Sequence, residues 1–396
     1  MLEKNISKIY LLKFFTMFLV IMPVIVPFFL SLDIDMKGVY LLQSIFAVTV
    51  FIFEIPSGYI SDLLGRKKTL VVAHGLKALG FTLFPLAESL ELLIVAEIIL
   101  GIAVSLSSGT DTALIYDTLE VTNPKKAQIK ILGKSVYYQS MGEGMASLIA
   151  SVLMLLAFNI HNLATISAFI SWIPMLVATT LVEPPRTKMT ATHKENIGYI
   201  YRSLFKQSKL LNFILINAIF SFTGTLTAVW MFQKYWNELG INITYFGFLW
   251  AATNFTVSFV SKSAHKLEKK IGSVAALIII GLLPIVGYLG ISFTNHILGI
   301  LFCLAFQVCR GLGQVIYNDA LNKRVTTDFR ATANSIMQMG VRVLFIGIGP
   351  LFGSLIDNQG LSYATQSMGI AYSLVFLFFL IPLINERTHF IKIHKA

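Results

Sequence analysis

Long apolar runs alternate with short polar breaks along this chain. The runs fall at 9–30, 39–61, 69–87, 90–113, 134–157, 162–182, 210–234, 243–263, 273–293, 296–317, 331–356 and 363–385. About 20 apolar residues suffice for a helix to cross the hydrocarbon core of a bilayer. Inside lipid the backbone has no water to bond, so runs of this length select helices that satisfy their own N–H and C=O groups. The pattern predicts an all-α membrane protein with twelve transmembrane helices in two six-helix halves with pseudo-two-fold symmetry. The longest break, 183–209, contains Pro184 and Pro185 and the most sustained polar composition in the chain. It separates an N-terminal half, 1–182, from a C-terminal half, 210–396, as a cytoplasmic linker. The second part of that break reads equally as a basic amphipathic helix on the membrane surface and as a disordered connection.

Composition strengthens this picture. Hydrophobic residues make up 56% of the chain and charged ones 13%, with a mean hydropathy of +0.74; soluble domains carry about 25% charged residues. The net charge of +11 does not indicate a nucleic-acid partner, because the Lys and Arg residues sit in alternate breaks rather than on a soluble module. The exceptions are Lys37 and Lys234 in the intervening breaks, and Lys13, Lys77, Arg310 and Arg342 inside the runs. Positive residues stay on the cytoplasmic side, which predicts a multi-pass protein of the cell (inner) membrane with both termini cytoplasmic. The first run is too long for the apolar core of a signal peptide and reads as a retained helix. Cys303 and Cys309 share one run but point to different helix faces, so neither a local disulfide nor a metal pair is expected.

The halves carry a weak internal repeat. Gly109 precedes Asp117-Thr118-Leu119 by the same interval at which Gly311 precedes Asp319-Ala320-Leu321. Gln139 and Glu143 in the fifth run match Gln338 and Arg342 in the eleventh. Matches at equivalent places of two halves point to a duplicated transporter whose site lies between the repeats.

The break after the second run reads Gly58-Tyr59-Ile60-Ser61-Asp62-Leu63-Leu64-Gly65-Arg66-Lys67-Lys68. Gly58 would let two helices approach closely, Asp62 could cap a helix N-terminus, and Gly65 permits the reversal. This stretch resembles the G-x-x-x-D-x-x-G-R-K signature of the major facilitator superfamily, in the loop where that family carries it. The corresponding loop of the second half, His265 to Gly272, keeps the glycine and the basic residues and lacks the aspartate. The text around Phe53–Gly58, Ser108–Leu119 and Arg330–Ile336 resembles the bacterial drug-efflux-like branch. Two departures stand against that branch. Glu97 occupies the position before Gly101 where many members carry an arginine, and the fifth run reads Gly142-Glu143-Gly144 without the Gly-Pro pair of drug–proton antiporters. A Gly347-x-Gly349-Pro350-x-x-Gly353 pattern lies instead in the eleventh run.

Ionisable residues at membrane depth cost about 2.5–3.5 kcal/mol on insertion scales, so each needs a reason to be there. At 100° per residue, Glu97, Gly101, Ser108 and Asp111 share one face of the fourth run. Gln307, Arg310, Gln314 and Tyr317 form a similar stripe in the tenth, and Gln139, Glu143 and Ser147 one in the fifth. The resemblance implies that the first, fourth, seventh and tenth spans line a central cavity. Glu143 and Arg310, the deepest, are the first candidates for proton coupling or substrate contact, with Glu97 and Asp111 behind them. Lys13 and Lys77 are expected to snorkel to the cytoplasmic surface. Trp230, Tyr235, Trp236 and Trp250 are expected to form an interfacial aromatic belt. The resemblance further implies a gating motif of Gly58, Asp62, Gly65, Arg66 and Asp117, with Asp62 near the start of the eleventh span and Arg66 near Asp117. Glu54 and Arg342 are expected to pair across the halves.

The reading that follows is a secondary active transporter moving a small organic solute by alternating access, as proton-coupled efflux of a drug-like or amphipathic compound. The alternatives are a carrier of a specific metabolite or metal chelate and, more remotely, a channel or a non-transporting sensor. The chain shows no G-x-x-x-x-G-K-[ST], H-E-x-x-H or G-x-S-x-G sequence, which argues against nucleotide-driven coupling and against an intramembrane enzyme. No cofactor or metal is expected. The expected partners are the substrate, protons and membrane lipid, for a monomeric chain.

Overall fold

The structure, a computed structural model, describes residues 2–122, 128–185, 209–325 and 330–387. Most of the segment expected to link the halves, and with it the choice between surface helix and disorder, lies outside the described residues. Every regular element among the described residues is helical. Ten of the helices are long and apolar enough to cross a membrane.

Two predicted spans fall short of that measure, for different reasons. The first is broken: helix α1 (Asn5–Thr16) ends in mid-run, and a short 3-10 turn (Met22–Val24) leads to α2 (Ile25–Leu30). Pro23 and Pro27 withhold two backbone donors from this stretch. The fifth, α7 (Gln128–Leu155), is continuous, but Gln139, Ser140, Glu143 and Ser147 dilute its apolarity.

The other helices of the N-terminal part follow the apolar runs. The side chain of Asp35 accepts a 2.7 Å hydrogen bond from the Gly38 N–H and starts α3 (Met36–Leu64). Gly65, at φ +100°, turns the chain into α4 (Arg66–Leu83). The fourth predicted span is split into α5 (Leu90–Ser107) and α6 (Thr110–Thr122) by Gly109 at φ +77°. A capping box between Asn159 and Asn162 opens α8 (Ile160–Ile170), and α9 (Ile173–Thr179) follows. Beyond residue 208 come α10 (Lys209–Glu238), α11 (Phe246–Ile271), α12 (Ser273–Phe293), α13 (Ile300–Asn322), α14 (Arg330–Gln359) and α15 (Leu361–Val375). The last continues through a π-helical turn, Phe376–Leu380, to residue 387.

The chain forms two compact units. The first holds Met1–Lys188 together with Ile241–Asn254, and the second holds Met189–Gly240 with Phe255–Ala396. In the first, α4 packs on α5 and α9, α3 on α5, and α1 on α7. Its core gathers Ile9 and Leu12 of α1, Leu70 of α4, Leu114 and Ile115 of α6, and Ala178 of α9. Asn5 ties the chain start to the end of α9's run, donating to the Val182 carbonyl at 2.7 Å and accepting from the Val182 N–H at 3.0 Å. In the second unit α12 packs on α13 and α15, and α10 on α13 and α14. Leu211, Leu215, Ile280, Leu312 and Ile316 are central to its core. Gly272, at φ +84°, turns α11 into α12 as Gly65 turns α3 into α4. Each unit thus uses a glycine in the same unusual conformation at the corresponding reversal.

Close approach is set at different glycines from the one expected. A Cβ on Gly142 of α7 would run into the Phe14 carbonyl of α1, and one on Gly101 of α5 would come within 2.7 Å of Thr49 on α3. At Gly58 a Cβ meets nothing within 4 Å. Gly142→Val is therefore expected to lose about 1–3 kcal/mol through forced separation of α1 and α7. Gly58→Ala is expected to change stability by less than about 1 kcal/mol, helped by alanine's better helix propensity. Thermal unfolding of the detergent-solubilised chain compares the two.

Candidate functional site

The break in the first span creates the chemistry of the first unit. A helix that stops leaves its last carbonyls without intrahelical donors. Where α1 stops, the Thr16 carbonyl accepts a 2.8 Å hydrogen bond from the Lys77 ammonium of α4. The Lys77 cation also stands 5.8 Å from the centre of the Phe81 ring. On the far side of the break the Ile21 N–H donates to Ser167 of α8 at 2.9 Å. The negative end of the α1 dipole suits the cation.

Three further groups converge here. One turn before the break, Lys13 forms an ion pair with Asp111. Asp111 lies in the first turn of α6, just past the Gly109 break, so the positive end of that helix favours its carboxylate too. The Thr112 hydroxyl lies 3.1 Å from the other Asp111 oxygen. Glu143 of α7 accepts from the Trp250 indole N–H at 3.1 Å and from the Asn254 amide at 3.3 Å, both at the start of α11 within the same unit. The charges of Lys13 and Glu143 both act on Lys77. His74, one turn before Lys77, is buried beside both lysines. Among the described residues neither of its ring nitrogens has a hydrogen-bond partner. Two cations, two carboxylates and an imidazole therefore share one neighbourhood where two spans are broken.

Several expectations are corrected by this geometry. Lys13 and Lys77 do not snorkel; their ammonium groups are spent on Asp111 and on a helix end inside the unit. The stripe drawn along the fourth span does not run through, because the Gly109 break changes the angular step between Ser108 and Asp111. Glu97 of that stripe is buried and accepts a 3.1 Å hydrogen bond from Gln43 of α3. Tyr235, Trp236 and Trp250 are buried in protein and form no interfacial belt. The stripe on α7 does face a partner: Ser147 is buried, and a Cβ on Gly247 would strike its carbonyl.

The signature loop is tied down by four side chains. Arg66 pairs with Asp62 at 2.7 Å and with Asp117 of α6 at 3.3 Å, and it donates to the Ser61 hydroxyl at 2.9 Å. The cap of α4 is not Asp62, which remains in the last turn of α3. Glu183 takes that place, accepting from the backbone N–H groups of Arg66 and Lys67 at 2.8 and 2.7 Å. Sequence reading assigns Glu183 to the linker and misses this role; the signal lay in its acidic character immediately before two prolines.

Arg310 on α13 and Arg342 on α14 are half-buried in the second unit, whereas Glu54, Glu143, Glu97 and Asp111 belong to the first. Gln307 beside Arg310 is buried, and Tyr317 packs edge-on to Phe222 at 6.3 Å. Cys309 is a free thiol within 3.4 Å of the Ser221 hydroxyl.

The sequence profile described as the Major Facilitator Superfamily matches residues 9–350. A Bacillus subtilis (strain 168) protein called an uncharacterized MFS-type transporter, YxaM, is 24% identical over 94% of this chain and 94% of its own length. Among solved structures, the nucleoside transporter NupG superposes with a TM-score of 0.75 at 15% identity, covering 96% of this chain and 98% of that one. A D-xylose–proton symporter superposes with a TM-score of 0.69 at 14% identity, covering 96% and 97%. At these identities the likeness is one of fold.

The pairing of Lys13 with Asp111 carries a direct energetic consequence. Removing one member leaves the other charge buried without its counter-ion, which costs about 3–5 kcal/mol, whereas removing both is far milder. Lys13→Met and Asp111→Asn are each expected to lower the unfolding free energy by that order, and the combined variant to regain most of the loss. Chemical unfolding in mixed micelles measures the cycle.

Proposed function

The chain belongs to the Major Facilitator Superfamily, and from that premise we propose that it is a proton-coupled secondary transporter moving a small organic solute by alternating access. Family and fold mark it as a membrane carrier and not an enzyme. The observation that carries the coupling is the cluster around the broken first span. The Glu143 carboxylate is held by two neutral donors, and its charge acts on Lys77. Protonating it frees Lys77, and losing the proton restores the attraction; the solute competes for the same lysine. That competition couples proton and solute without further machinery. Arg310 cannot deprotonate, so its part is to attract an anionic group of the solute.

In this reading the chain carries twelve spans in two halves, with both termini in the cytoplasm, and works as a monomer in the cell membrane. The signature loop acts as the gate: Arg66, clamped between Asp62 and Asp117, holds the loop in one state. Export of amphipathic compounds follows from the resemblance to the drug-efflux-like branch. A second reading, carriage of a polar metabolite, is favoured by the charged character of the cluster, and the structural neighbours include transporters of a nucleoside and a pentose.

Proteoliposomes loaded with a compound panel, with and without an imposed pH gradient, test the proposal. Gradient-dependent movement supports coupling, the compounds moved separate the two readings, and movement without saturation or counterflow contradicts a carrier. Glu143→Gln is expected to abolish gradient-driven transport yet spare solute counterflow, whereas Arg310→Ala weakens solute binding itself. Full gradient-driven transport by Glu143→Gln would pass the coupling role to Asp111 or Glu97. Asp62→Asn is expected to slow turnover in a protein that still folds and inserts, and unchanged turnover would remove the gating role.

A further inference from the structure

At the basic helix ends of the second unit, a cavity of about 120 Å³ opens between α10, α11, α12, α13 and the end of the last helix. Its polar wall consists of Lys323, Arg324 and Arg387, faced by Glu268 and Asp319; the floor is apolar, from Leu210 and Ile214 to Leu277 and Leu383. The charges on that wall are not matched. Asp319 is spent on Lys323, at 2.6 Å. Arg324 uses one N–H on the Ala320 carbonyl of its own helix, at 2.8 Å. Among the described residues the Arg387 guanidinium makes no hydrogen bond, although the Glu268 charge acts on it. The charge of Arg387 in turn acts on Arg324. A guanidinium carries five N–H donors in a planar fork. Two such forks line one small cavity with most of their donors unspent on protein groups, and three cations there face two acids, Glu268 and Asp319.

We propose that this cavity binds a phosphate group, carried by an anionic lipid headgroup or free as inorganic phosphate. The ligand must be small, negative and rich in acceptor oxygens. Phosphate meets each requirement: its oxygens take two N–H groups from each fork, and its charge relieves the repulsion between the arginines. A carboxylate offers fewer acceptors, and both acids on the wall already face cations. Basic pockets between transmembrane helices at the membrane surface are where lipid headgroups are recognised.

Native mass spectrometry of the full chain, released from micelles containing equal phosphatidylglycerol and phosphatidylcholine, reads the lipid arm. The unaltered protein is expected to retain one phosphatidylglycerol with about tenfold preference. Arg387→Gln is expected to bring that preference to parity, Arg387→Lys to leave part of it, and Lys37→Gln, an exposed lysine of the first unit, to leave it whole. The second arm is the unfolding midpoint in millimolar inorganic phosphate without anionic lipid. A rise seen in the unaltered chain and lost in Arg387→Gln identifies free phosphate as the ligand. Should Arg387→Gln not fold, Arg324→Gln carries the same comparison. Equal lipid retention by the unaltered chain and the arginine variants, with no phosphate-dependent rise in either, overturns the proposal.

Discussion

A helix that ends within an apolar layer leaves carbonyls that only the rest of the protein can satisfy. The first unit is organised around that constraint. The Thr16 carbonyl is answered by the Lys77 ammonium, and a buried ammonium demands carboxylates nearby. Those appear as Glu143, whose charge acts on Lys77, and Asp111, paired with Lys13. Backbone geometry supports the same arrangement. Gly142 brings α7 against the Phe14 carbonyl, which places Glu143 next to the break. Gly109 restarts the fourth span so that Asp111 meets Lys13 at a helix N-terminus. Two broken spans and one close helix crossing therefore deliver Lys13, Asp111 and Glu143, and α4 adds Lys77.

The same economy appears at the helix ends. Arg66 answers two aspartates and a serine, and Glu183 closes the exposed N-terminus of α4. Reversals at Gly65 and Gly272 use one backbone conformation, although only the first retains the full acidic and basic signature. Loss of the aspartate from the second loop changes what that end can bind. Where the first unit pairs its charges singly, the second gathers Lys323, Arg324 and Arg387 against Glu268 and Asp319 around one cavity.

Much of the fold was legible as periodic apolarity, because hydrocarbon imposes a minimum length on every crossing. The span expected at 273–293 coincides with α12, and that at 363–385 lies within Leu361–Arg387. The breaks were less legible. Pro23 with Pro27, and Gly109 before Asp111, were their signals, but apolar content continues through both and conceals them. Direction was harder still. Hydropathy places Lys77 near a span end and cannot say whether the side chain reaches water or a carbonyl on the next helix; that depends on which helix is the neighbour. Trp250 shows the same ambiguity, since an indole suits an interface and equally suits a half-buried carboxylate such as Glu143. Arg66, by contrast, was readable because the signature fixes its type and spacing, and the family resemblance pointed to Asp117 as its partner.

Lys77 and Glu143 are expected to act as one unit at the broken span. A double-mutant cycle on unfolding free energy, built from Lys77→Met, Glu143→Gln and the pair, tests this most directly. Residues in one charged network show interaction energies of about 0.5–3 kcal/mol, and independent sites add within about 0.5 kcal/mol. The account predicts a coupling energy above about 1 kcal/mol, with the combined variant more stable than the two separate losses imply; additivity within about 0.5 kcal/mol would contradict it.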